Sequence, residues 1–129
     1  MNIIKKFEVK QLLTESSRAL YIDKWEEEVA LLAQECEQLQ FEKKRLQKKR
    51  PSDKEWIAEQ FDKEVHTRNE KISLLEYKVE QIEQLPPESE LHEGEVDAIQ
   101  SIEVGDEWKA AEQKGKIIIK DGIVESITP

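Results

Sequence analysis

Apolar residues recur three and four apart over two long stretches of this chain, on either side of a single proline. The first stretch reads Ile22, Trp25, Val29, Leu32, Cys36, Leu39, Lys43, Leu46. The second reads Ala58, Phe61, Val65, Arg68, Ile72, Leu75, Val79, Ile82. Each is an a/d heptad seam sustained over about four heptads, the length at which a coiled coil becomes the natural reading. No glycine falls between residues 14 and 85, and the one proline there, Pro51, lies between the seams. If the chain folds back at Pro51, facing residues should have a constant sum of residue numbers. They do: Leu46 meets Ala58, Lys43 meets Phe61, Leu39 meets Val65, Cys36 meets Arg68, and so on to Ile22 with Ile82. Every a position then meets a d position. The pattern predicts an antiparallel coiled-coil hairpin over 14–85 with its turn at 50–52. Each helix would be about 50 Å long at ~1.5 Å per residue.

The flanks read differently. Phe7 and Val9 alternate with Lys6, Glu8 and Lys10, a period of two that predicts a half-buried strand within 1–13. Thr14 or Ser16 is placed to cap the first helix, with Glu15 suited to its dipole. Ser52 followed by Glu55 reads as a capping box opening the second. Leu85-Pro86-Pro87 ends that helix, and 86–95 is expected to be a stiff acidic linker containing proline. All four glycines lie beyond, at Gly94, Gly105, Gly115 and Gly122, which marks a β-module over 96–129. Val96 to Val104 reads as a strand and Lys116 to Lys120 as a buried strand. Asp121-Gly122 signals a type I′ turn, after which Ile123 to Ile127 returns. Three or four strands in that space make a marginal core, so the strand of 1–13 is the natural addition. The expected class is α+β: a small β-module built from both ends of the chain, a closed barrel being one form open to it, with the coiled-coil hairpin inserted.

Composition narrows the function. Of 129 residues 38% are charged and 6% aromatic, which suits long solvated helices rather than the large buried pocket of a small-molecule enzyme. No small-molecule substrate is expected. Cys36 is the only cysteine, so no intrachain disulfide can form and nothing points to an oxidising compartment. The opening run Met-Asn-Ile-Ile-Lys-Lys is too short for a signal peptide or a spanning helix. A cytoplasmic protein without a membrane partner is the expectation.

Catalytic chemistry is sparse. His66 falls at an outward b position of the second helix. His92 sits among Glu90, Glu93, Glu95 and Asp97, a set able to recruit a divalent cation. Its spacing matches no zinc motif, and a solvated acidic loop is the stronger reading. There is no phosphate loop, nucleophile elbow or dinucleotide fingerprint. The expectation is therefore a protein with no catalytic residues, no metal and no cofactor. Within the seam, Cys36 with Arg68 and Lys43 with Phe61 form polar layers that fix register, and both cations can snorkel outward.

Charge and exposed apolar residues carry more. Between Glu42 and Glu55 lie seven bases, Lys43, Lys44, Arg45, Lys48, Lys49, Arg50 and Lys54, against three acids. Between Glu80 and Trp108 lie ten acids and no lysine or arginine. The basic turn is a candidate phosphate contact, because lysine and arginine supply the salt-dependent part of nucleic-acid binding. The alternative is a solvated turn whose lysines complement the helix dipole. Leu31, Phe41, Trp56, Leu74 and Tyr77 fall at c or f positions, away from the seam, and offer a surface for self-association or for a partner.

The leading strand, the helical hairpin and the ending LHEGEVDAIQSIEVGDEW…GKIIIKDGIVESI resemble the YlqD-like proteins of Bacillota. The resemblance covers the whole chain, and its most specific parts are Glu93-Gly94 through Trp108 and Lys120-Asp121-Gly122. It carries no catalytic residues over, since none are assigned to that family. Its genes tend to lie beside genes for ribosome maturation and tRNA modification, which implies a role near RNA or the ribosome. Two functions are thus expected. One is a non-enzymatic interaction protein contacting RNA or the ribosome through the basic tip. The other is a homo-oligomeric scaffold or chaperone-like protein using the apolar outer face.

Overall fold

The computed structural model describes all residues, Met1–Pro129, and follows the change of period along the chain. Strand β1 (Asn2–Leu12) leads into two long helices, α1 (Glu15–Lys49) and α2 (Lys54–Gln84), joined by one 3₁₀ turn at Pro51–Asp53. Then come β2 (Glu90–Ser101), a five-residue helix α3 (Trp108–Glu112), β3 (Gly115–Lys120) and β4 (Ile123–Thr128). The protein is α+β, and the chain divides into two compact units. One comprises Met1–Arg18 with Leu85–Pro129, the other Ala19–Gln84.

The first unit is built on a four-stranded mixed sheet in the order β2-β1-β3-β4. β1 runs antiparallel to β2 and parallel to β3, and β3 and β4 form an antiparallel hairpin. The sheet is open and not a barrel: β2 and β4 are its two edges and do not pair. Four strands are too few to close around a filled interior, for which about eight are usual. The alternation expected of β1 appears as burial of Lys5, Phe7 and Val9 on one face. Leu13, fully buried, extends β1 by two backbone bonds, donating to Ser89 at 2.9 Å and accepting from Glu88 at 2.8 Å.

Three expectations are corrected here. Residues 86–95 are not a linker throughout, because β2 starts at Glu90 and only the turn around Pro86–Ser89 connects it to α2. The acids that read as a solvated loop are held in the ladder by partners distant in sequence. Glu90 pairs with Lys10 and Lys116, Glu93 accepts from Gln11, and Glu95 pairs with Lys114. The strand expected over Val96 to Val104 ends at Ser101, and a turn from Glu103 to Asp106 follows, with Gly105 at φ +102°. The short helix α3 carries no sequence signal strong enough to predict. At the other end, Asp121 and Gly122 have φ of +49° and +78°, the two left-handed residues a type I′ turn demands.

α1 opens with a reciprocal cap. Thr14 Oγ1 accepts from the Ser17 amide at 3.1 Å, and Ser17 Oγ accepts from the Thr14 amide at 2.9 Å. α2 opens differently from the expected capping box. Ser52 lies inside the 3₁₀ turn that Pro51 begins, and the α-helix starts at Lys54.

In the second unit the pairings between helices run in opposite senses along the two. Trp25 lies under Lys78, Glu35 bonds Arg68, the Cys36 thiol approaches Asn69, Lys43 bonds Asp62, and Gln47 donates to the Lys54 carbonyl. Every seam residue from Ile22 to Ile82 is buried or half-buried, and Leu31, Phe41, Trp56, Leu74 and Tyr77 are all more than half exposed. The helix backbones nevertheless stay more than 8 Å apart along nearly all of the pair. Ile57, one position before the predicted Ala58, is the most buried residue near the turn.

Candidate functional site

The turn between α1 and α2 gathers the basic residues, and the structure sorts them. Lys43 leaves the seam and pairs with Asp62 at 2.9 Å. Arg45 pairs with Glu42 one turn back, and Arg50 reaches Asp53 at 3.5 Å. Lys44, Lys48, Lys49 and Lys54 are exposed and make no ion pair. Four of the seven bases are thus open to a ligand and three are tied to acids of the protein itself. Lys48 and Lys49 also stand in the last turn of α1, where they complement its dipole.

Helical spacing places Phe41, Lys44, Arg45 and Lys48 on one face of α1, since residues three and four apart are surface neighbours. Phe41 is 67% exposed, and Trp56, in the first turns of α2, is 61% exposed. An open groove runs back from Phe41 and Lys44 along Gln40, Cys36, Val65 and Asn69. Cations beside an exposed ring are the elements from which a phosphate-and-base contact is made. Leu31, Leu74 and Tyr77 occur farther from the turn along the same helices.

The polar seam residues are accounted for locally. Arg68 turns out of the seam and binds Glu64 at 2.9 Å and Glu35 at 3.1 Å, and its guanidinium is held above its ordinary range by Glu64 first and Glu35 second. It does not pair with the Cys36 thiol, which instead lies 3.8 Å from Asn69 Oδ1.

The acidic stretch forms part of the β1–β2 ladder. His92 Nδ1 lies 3.0 Å from Glu8 Oε1, and no three of the histidine, cysteine and acidic side chains converge as a ligand set. The Glu8 carboxyl is lowered chiefly by the hydrogen bond with His92, Glu90 by Lys116 and Glu95 by Lys114. His66 is an exposed helix residue 2.9 Å from Glu70. No helix is long and apolar enough to cross a membrane.

Two residues escape the sequence reading. Lys5 is buried in the sheet unit, and Trp108 stands exposed on α3. The period of two that selects Phe7 and Val9 also puts Lys5 on their face. That signal was available. Trp108 has no comparable local signature.

Comparison with known proteins adds three findings. The model of a family described as YlqD protein matches residues 1–128. The chain is 36% identical over 127 residues to the uncharacterized protein YlqD of Bacillus subtilis strain 168, covering 98% of each chain. A crystal structure of a protein of unknown function from Synechococcus sp. WH 8102 superimposes with a TM-score of 0.85, at 19% identity, over 100% of this chain and 96% of that one. The last likeness shows the fold alone. On the family match and the identity to the Bacillus protein, the chain belongs to the YlqD family.

Proposed function

We propose that this is a non-enzymatic interaction protein whose helix turn contacts RNA or a ribosomal surface. Four exposed lysines outside any ion pair, next to exposed Phe41 and Trp56, carry this reading. The phosphate backbone is met by cations free to exchange counterions, and bases stack on rings. With a net charge of −9, the protein favours a contact confined to that turn. In this reading α1 and α2 form an antiparallel coiled coil that presents the turn, supported by the seam burial and the opposed order of cross-helix pairs. A cytoplasmic setting fits such a partner.

The test is co-sedimentation with ribosomes and ribosomal RNA at low and high salt, beside a variant in which Lys44, Lys48, Lys49 and Lys54 become Glu. A turn that neutralises four phosphates should bind about 50- to 150-fold more weakly at roughly 200 than at roughly 50 mM salt. Binding that falls with salt and disappears in the variant supports the reading. Equal sedimentation of both proteins, or none, overturns it.

A second reading rests on the exposure of Leu31, Phe41, Trp56, Leu74 and Tyr77. Here the outer face joins copies of the chain into a scaffold or chaperone-like assembly, since large apolar residues left exposed in clusters mark association sites.

A further inference from the structure

The first half of β1 has a strand neighbour on one side only. It pairs with β2 from Asn2 onward, whereas pairing with β3 begins at Phe7 opposite Gly115. Met1 and Ile102 exchange both backbone bonds, at 3.1 and 2.8 Å. Hydrogen-bonded pairs alternate in an antiparallel ladder, so Ile4 turns its N–H and C=O away from β2. On that side lies a cleft lined by Ile4, Lys5, Lys6, Trp108, Gln113 and Lys114. An unpaired edge of this kind accepts an extended chain as a further strand.

Lys5 supplies the chemistry of the occupant. It is 4% exposed, its Nζ donates to the Ala110 carbonyl at 3.0 Å, and it lies 5.8 Å from the Phe7 ring centre. No carboxylate is within ion-pairing distance of it. An ammonium has three donors, and burying one without a counter-charge is costly. Lys6 also makes no ion pair, Lys114 is held by Glu95, and Glu112 is the one acid on the rim. Trp108, 62% exposed, forms an aromatic wall. The cleft thus combines a free backbone edge, a buried cation and an apolar side, all within the sheet unit.

We propose that this cleft binds an extended peptide segment bearing a carboxylate. The segment adds as a strand along Ile4, its carboxylate is met by Lys5, and an apolar side chain packs on Trp108. This site is separate from the helix turn and stands or falls without it.

The experiment is amide and indole NMR on the full chain, titrated with a pool of N-acetylated hexapeptides built from Ala, Val, Ile, Ser and Thr. One pool ends in a free carboxylate, a second in a carboxamide, and acetate alone is the third probe. The acid pool should shift the Ile4 and Lys6 amides and the Trp108 indole, with the carboxamide pool about tenfold weaker, the effect of one charge-assisted hydrogen bond. Lys5→Met should bring the acid pool down to the carboxamide level. Ile4→Pro removes the free N–H, leaves Lys5 in place, and should abolish binding while the remaining spectrum stays folded. Absence of shifts with wild type, equal response to the two pools, or acetate reproducing the whole pattern would each overturn the proposal.

Discussion

A Cβ added at Gly115 would run into the ring of Phe7, which is itself buried against the sheet. Glycine is therefore required there by close approach and not by backbone conformation. Gly115→Ala should lower stability by about 1–3 kcal/mol, the usual cost of overpacking a filled core. Urea unfolding measures it, and Gly115→Ala combined with Phe7→Leu should cost less than the two changes summed, because the residues touch. Additive losses would mean the ring yields without strain. This requirement was not legible in the sequence, where Gly115 marks only a shift in composition. It appears once β1 and β3 are known to pair, and those strands are separated by both long helices. By contrast Asp121-Gly122 was legible, since a type I′ turn is decided by the two residues that occupy it.

Among the elements, β2 is where charge and structure diverge most. Its acids suggested solvent, yet Glu90 and Glu95 are held by Lys116, Lys10 and Lys114, and Glu8 of β1 by His92 and Lys10. These three carboxyls titrate below the ordinary 4.5 for that reason. A carboxyl lowered by folding contributes stability that is fully present above its unfolded value and is lost as pH falls through its folded value. Thermal unfolding followed by circular dichroism should therefore show the midpoint dropping as pH falls below 4.5. Glu90→Gln with Glu95→Gln should flatten that acid limb, and an unchanged limb would remove these pairs as its cause. Lys114, raised above 10.5 by Glu95, adds the opposite limb, present below its unfolded value and lost as pH rises through the raised one. The pairs are exposed, so added salt should weaken both limbs. The helices were more readable than this strand. Their ends at Lys49 and Gln84 follow from Pro51 and Pro86, breakers that act over one or two residues.

For the whole molecule, the chain order places a helical unit between the two halves of a sheet unit. The helical unit carries the basic turn and the apolar outer face, and the sheet unit carries the β1 cleft. The scaffold reading of the outer face makes a separate prediction about mass. It requires wild type to scatter light as an oligomer, and Leu74→Glu with Tyr77→Glu to scatter as a monomer. A monomer in both would leave that face solvated and the scaffold reading without support. Reversing the turn lysines should leave the mass unchanged in either case, because those residues lie outside Leu74 and Tyr77. The candidate turn was legible as a cluster of seven bases. That only four remain outside ion pairs was not, because Lys43 finds its acid, Asp62, on the other helix.

The sequence by itself determined the α+β class, the two helices, the heptad positions that are covered and the outer positions that are not. Those depend on periodicity and on breakers that act within a few positions. Only the tertiary structure decided the open sheet and its order, the parallel pairing of β1 with β3, and the start of β2 inside the acidic stretch. It alone put Lys5 in a cleft without a counter-charge. Each of these joins residues far apart in the chain, and long-range pairing leaves no mark on local spacing.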